Sequence, residues 1–281
     1  MRRPPRVVLA FVVAACVPCG ATAARAEWLA DAEGGVVYED NLNGAAKARD
    51  QKSDLAFVPR LSVGHHVQLT DSTSLRLTAD LQGGVYTEFD RLDTVSSGLA
   101  LGVRRKFGLG ADAPWARVFG SAAYLNYNDG VLDSSLVSVG LELGKRLHQR
   151  FDLRAGYLYE VRDANTPVFD LTAHTAFANV SVALTEATEL ILGHATRWGN
   201  FTVHRRATTA EPPRPVRVVE TFDTPLFAFR IDATTYQASA TISQALTRDA
   251  AISVGYDYQF TQGPRLTYTN NVFRGSFTYS Y

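Results

Sequence analysis

Val272-Phe273-Arg274-Gly275-Ser276-Phe277-Thr278-Tyr279-Ser280-Tyr281 ends the chain, and Phe273, Phe277, Tyr279 and Tyr281 all fall on one parity. Successive strand side chains point to opposite sides, so this decade reads as a strand with an aromatic face and a polar or small face. The same period recurs upstream. Leu75, Leu77, Ala79, Leu81 and Val85 alternate with Arg76, Thr78, Asp80 and Gln82, and Ile252, Val254, Tyr256, Tyr258 and Phe260 alternate with Ser253, Gly255, Asp257 and Gln259. Segments 137–144 and 151–162 behave alike.

About twelve such segments are expected, near 28–39, 54–69, 74–87, 94–107, 115–126, 135–147, 151–162, 171–184, 189–199, 232–246, 251–260 and 270–281. That leaves about 21 residues per strand and connection, room for strands of roughly 11 residues, the length that crosses a bilayer at a 45° tilt. The fold class expected is all-β: an antiparallel up-and-down transmembrane β-barrel of 12 strands, or 14 if 216–220 and 226–229 both join the wall. Only a closed barrel lets strands cross hydrocarbon with every backbone polar group paired.

Connections alternate in length. Tight polar links at 70–73, 148–150, 185–188 and 247–250 alternate with longer ones near 40–53, 88–94, 127–134, 163–170, 200–231 and 261–269, with 108–114 intermediate. Short turns on the periplasmic side and long loops outside are the barrel pattern. Asn41, Asp129 and the 200–231 segment then share the outer end, opposite Tyr281. Pro212, Pro213 and Pro215 lack the donors a membrane sheet needs, so 200–231 is expected to extend two strands above the membrane, with a fold-in constriction as the alternative.

The start of the chain is consistent with export. Arginines 2, 3 and 6, the apolar run 7–17 and Ala24-Arg25-Ala26 read as a signal peptide over 1–26, followed by a barrel domain over 27–281. A competing lipobox, Val13-Ala14-Ala15-Cys16, would leave the Ala24-Arg25-Ala26 site unused. Under the preferred cleavage Cys16 and Cys19 are lost, which excludes thiol chemistry, and 24 basic face 28 acidic residues. No nucleic-acid partner is expected from that balance. A soluble sandwich would also alternate, but Trp28, Tyr38, Tyr86, Phe89, Phe107, Trp115, Tyr124, Phe151, Phe169 and Trp198 lie near strand ends, where headgroup girdles sit.

The aromatic terminal strand resembles the last strand of bacterial outer-membrane barrels. That resemblance implies an assembly signal at Phe277, Tyr279 and Tyr281, read by the barrel assembly machinery, and residence in the outer membrane among its lipids. Gly35-Val36-Val37-Tyr38-Glu39-Asp40-Asn41-Leu42-Asn43 resembles the opening of the barrel domain in proteobacterial surface lipoprotein assembly modifiers and related porin-like proteins. Those modifiers carry a helical repeat domain before the barrel. Here Glu27 leads directly into the first strand, and the likeness is closest to barrels without that domain.

Charges on the polar phase are expected to line the lumen: Arg60, Arg76, Asp80, Arg104, Glu142, Asp152, Arg154, Glu160, Arg162, Arg197, Asp232, Asp257 and Arg274. Arg facing lipid near the midplane costs about 2–4 kcal/mol, so inward is the economical orientation. They could bias an aqueous path or pair across the bore and plug it. No cofactor or metal is expected, since His65 and His66 are adjacent on a strand and point apart. His174, Ser181 and His194 are the only loose hydrolase ingredients among residues that include His148 and His204. The leading expectation is passive passage of small hydrophilic solutes. The alternatives are a non-conducting structural or interaction barrel and an outer-membrane lipid hydrolase.

Overall fold

The computed structural model describes residues 26–205, 216–219, 221–222, 226–264 and 266–281; the signal-peptide and lipobox readings on 1–25 lie outside them. The described strands are β1 (Ala26–Glu39), β2 (Asp54–Thr70), β3 (Thr73–Tyr86), β4 (Thr94–Lys106), β5 (Trp115–Tyr127), β6 (Ser134–His148), β7 (Phe151–Ala164), β8 (Leu171–Ala183), β9 (Thr188–Arg205), β10 (Val216–Val219), β11 (Leu226–Ala245), β12 (Ala250–Gly263) and β13 (Leu266–Ser280). Consecutive strands pair antiparallel except β9 and β10; β9 pairs β11 instead, and β13 returns to β1. The ring therefore holds twelve strands. β10 is a four-residue addition that pairs with the first residues of β11 as a hairpin, and does not raise the wall to fourteen.

The closing seam runs from Asp31↔Ser280 to Glu39↔Val272. Following the register once round the ring returns to β1 roughly 16 residues along, which for twelve strands means a tilt of about 45°. Phe273, Phe277, Tyr279 and Tyr281 face outward, 47–89 % exposed, as do Leu61, Leu77, Leu99 and Val254. This apolar outer surface is what hydrocarbon would cover. The ladder between β2 and β3 is interrupted at Val58 and Pro59, opposite Gly83 and Gly84, because proline brings no N–H.

The inner wall follows a second rule. Inward aromatics lie flat over a glycine of the next strand: a Cβ on Gly144 would stand 2.2 Å from Trp115, and Cβ atoms on Gly140 and Gly156 would stand 2.4 Å from Phe119 and Phe177. Glycine keeps these rings against the wall and out of the bore. Trp115 is thus an interior residue, and with it Tyr86, Phe89 and Phe169 are removed from the expected girdle; the last two are 1 % and 6 % exposed in packed clusters at the mouth. Trp28, Tyr38, Phe107, Tyr124, Phe151 and Trp198 do face outward.

Deleting residues 277–281 removes the seam pairs Gly34↔Phe277 to Asp31↔Ser280 together with Tyr279↔Ala250, leaving edges in hydrocarbon. We expect export without membrane assembly, read as loss of the heat-modifiable band on unheated gels. A truncated chain that still gives that band would contradict the closure argument.

Candidate functional site

Ion pairs run along the inner wall, between adjacent or next-but-one strands. Arg60 on β2 reaches Asp80 on β3 at 2.6 Å, Arg76 reaches Asp31 on β1 at 3.4 Å, and Arg197 on β9 reaches Glu160 on β7 at 3.2 Å. Arg274 pairs with Asp257, Glu142 lies 3.8 Å from Arg117, and Asp152 lies 3.5 Å from Arg146. Arg162 donates to Ser134 Oγ and to the Leu132 carbonyl. Arg104 lies over the Trp115 ring at 4.2 Å, and neither it nor Arg154 has an ion pair among the described residues. Apart from the pair at the buried Asp257, these half-solvated pairs add about 0–1 kcal/mol each, so they shape the lumen field more than they stabilise the fold.

Asp31, Glu33, Arg117 and Arg146 belong to the same lining and escaped the sequence reading. Their signal was present: Asp31 and Glu33 alternate with Ala30, Ala32 and Gly34, and Arg117 precedes the outward Val118. Asp232 is a correction. It lies in the phase opposite the inward Thr235, whose hydroxyl bonds that of Thr261, and borders an outer groove beside Trp198.

The extracellular mouth is roofed. β9 leaves β8 after Gly199, whose φ of +151° turns the strand, and β11 meets β12 only from Thr234 on. Between these points β9 and β11 remain paired with each other as a ribbon. Its contacts lie all round the ring: His204 N donates to the Asn43 carbonyl in the β1–β2 loop, Phe222 packs edge-on against Phe89 in the β3–β4 loop, Thr221 bonds Asp129 in the β5–β6 loop, and Thr202 bonds the Val168 carbonyl in the β7–β8 loop. A segment rooted between β9 and β11 reaches the β3–β4 loop, on the opposite side, only by crossing the mouth. In its described residues the expected upward extension is therefore an inward fold. Pro212, Pro213 and Pro215, on which that expectation rested, lie outside the described residues.

The loops that receive it are fixed by asparagine and aspartate. Asn41 and Asn43, from the opening motif, are 2 % exposed: Asn41 holds the Ala45 and Thr269 carbonyls and Asn43 the Asp50 carbonyl. Asp93, Asp133 and Asp170, each just before a descending strand, accept from the N–H of Tyr86, Tyr127 and Ala164. Neighbouring loops are joined by Asn128 N to the Asp93 carbonyl and Asn165 N to the Asp133 carbonyl, both 2.8 Å.

Among solved structures, an outer membrane channel from Pseudomonas putida F1 aligns over 90% of this chain and 95% of its own, at 13% identity and a TM-score of 0.63. The fold is that of a porin-like outer-membrane barrel. The NanC porin aligns over 89% of this chain and 98% of its own at 12% identity and a TM-score of 0.47. The toluene transporter TodX of Pseudomonas putida aligns over 91% and 89% at 10% identity and 0.44. No family model matches the chain, and no curated protein matches it either. The likeness to assembly modifiers finds no support in these comparisons.

Histidines of the barrel are dispersed. His65 packs at a tilt against Trp28 outside while His66 points inward, and His174 stacks on the outward Trp198 with its Nδ1 bonded to the Tyr157 hydroxyl. Ser181 faces the opposite side of β8, and His194 contacts Thr196. The three hydrolase ingredients are not brought together. His204 differs: it sits in the roof above the wall, between Phe169 and Phe222, and both ring nitrogens are buried without a partner. Burial lowers its pKa from 6.5 to about 4.

That shift makes the roof acid-sensitive. An imidazole released into water protonates near 6.5 while the packed one does not, so closure is fully favoured above pH 6.5 and weakens as pH falls toward 4, by on the order of 3 kcal/mol. Asp54, at the rim, stays charged over this window: burial opposes its ionisation, but the Thr87 hydroxyl and the N–H groups of Phe89, Glu88 and Leu55 hold its carboxyl below the usual range. We expect amide exchange in 201–204 and 226–230, corrected for intrinsic rates, to rise between pH 7 and pH 4.5 and to stay flat in His204→Phe, which keeps the ring packing. Equal acid loosening in His204→Phe would contradict this.

Proposed function

We propose that the protein is an outer-membrane channel for passive passage of small hydrophilic solutes, closed at rest by the β9–β11 ribbon. The carrying observation is the direction of the ion pairs: they run along the wall, where charges pairing across the bore would have plugged it. Glycines that lay the inward aromatics flat support the same reading, and so does a polar cavity of about 360 Å³ in the periplasmic half. The apolar outer face supports residence among outer-membrane lipids, and the aromatic terminal strand supports assembly by the barrel machinery. The reading assigns no catalytic residue and no cofactor.

The roof gives weight to a second reading, a non-conducting barrel presenting a rigid loop collar to an outside partner. Planar-bilayer recording separates the two. We expect brief, small openings in the wild type and longer or larger ones in Phe222→Ala, because truncating a packed phenylalanine costs about 3–5 kcal/mol at a cluster that holds only the roof. Silence of both proteins over a range of voltages and salts would select the non-conducting barrel.

A further inference from the structure

The cavity below the roof has an uneven distribution of committed and uncommitted charge. β4 turns Gly98, Ala100 and Gly102 inward, so no bulk fills the space between Arg76, Thr78 and Asp80 on β3 and Arg117 on β5. Arg117 lies across this bare strip, its Nε 2.9 Å from where a Cβ on Gly102 would be. The third arginine, Arg60, is spent: its Nε and Nη2 both bond Asp80 Oδ1, at 3.2 and 2.6 Å.

The other groups are held loosely. Arg76 touches Asp31 through one nitrogen at 3.4 Å, and Arg117 approaches Glu142 at 3.8 Å without a hydrogen bond. Glu33 stands directly across from Arg60 in the β1–β2 register, but Arg60 is turned to Asp80, and Glu33 has no ion pair among the described residues. The cavity thus offers unused guanidinium donors from Arg76 and Arg117 and an unused carboxylate from Glu33. Arg60, Arg76 and Arg117 balance Asp31, Glu33 and Asp80 in formal charge.

We propose that this cavity binds a small zwitterion of the α-amino acid class, its carboxylate on Arg117 and Arg76 and its ammonium on Glu33. A simple anion would satisfy the arginines but face Glu33, and a simple cation would do the reverse; only a solute carrying both charges meets all three groups. The space, about 360 Å³, lies within the range of small-molecule sites. The inference deepens the channel reading by naming a solute class, but equilibrium binding to the site does not require conduction.

The test is calorimetric titration of the folded barrel in detergent with L-glutamine, N-acetyl-L-glutamine and the amide of L-glutamine, alongside conductance in potassium chloride. We expect L-glutamine to bind and loss of either charge to weaken it about tenfold or more, since each removes a charge-assisted hydrogen bond. Glu33→Gln should abolish the preference for the free amine, and Arg117→Gln the preference for the free carboxylate. Both variants are checked for the heat-modifiable band; if either fails to fold, the wild-type comparison of the three ligands decides alone. No binding of L-glutamine at tens of millimolar, or equal binding of the acetylated form, overturns the site. A barrel that conducts without binding loses the site and keeps the channel, whereas one that binds while silent keeps the site and loses the channel.

Discussion

Everything in this molecule depends on the pairing of backbone N–H and C=O groups around a closed ring. In hydrocarbon an unpaired group costs several kcal/mol, so twelve strands are stable only if β13 finds β1. Once the ring closes, alternation does the rest: one parity faces lipid, the other the lumen, and every inward charge is placed by a pattern set along the strand. The two interior clusters of packed apolar residues lie at the extracellular mouth, not within the membrane-spanning wall.

The same constraint explains how the wall can open at its outer end. Where β9 departs, the Asn200 side-chain oxygen accepts the Thr172 N–H that a neighbouring strand would otherwise take. The ribbon's own groups pair with each other and with the loops around it, as when Arg230 donates to the Pro167 carbonyl and lies 3.5 Å from Asp170. Such a segment can cross the mouth because it carries its hydrogen bonds with it.

Period and turn chemistry made most of the barrel legible in the sequence. The strand count and the shared parity of Arg60, Arg76, Asp80, Glu142 and Arg274 follow from a period of two and short polar turns. The roof was not legible because its determinants are side-chain bonds between loops far apart in sequence: Asn41 to Thr269, Thr221 to Asp129, Phe222 to Phe89. Strand-end aromatics divide by phase, so Trp115 and Phe169 could not be told from Trp198 by position alone. One usable signal was passed over, the aspartate that stands just before β4, β6 and β8.

On the channel reading, a water-filled polar lumen lies beneath a roof that can move. With cysteines only at 16 and 19, Ala100→Cys in a chain that starts at Glu27 places a single thiol on the cavity floor. Labelling it in intact cells with a charged, membrane-impermeant methanethiosulfonate tests the claim most directly. Slow modification is expected, accelerating when Phe222→Ala is added. A thiol that stays unmodified in both backgrounds, yet reacts once the protein is denatured, would contradict it.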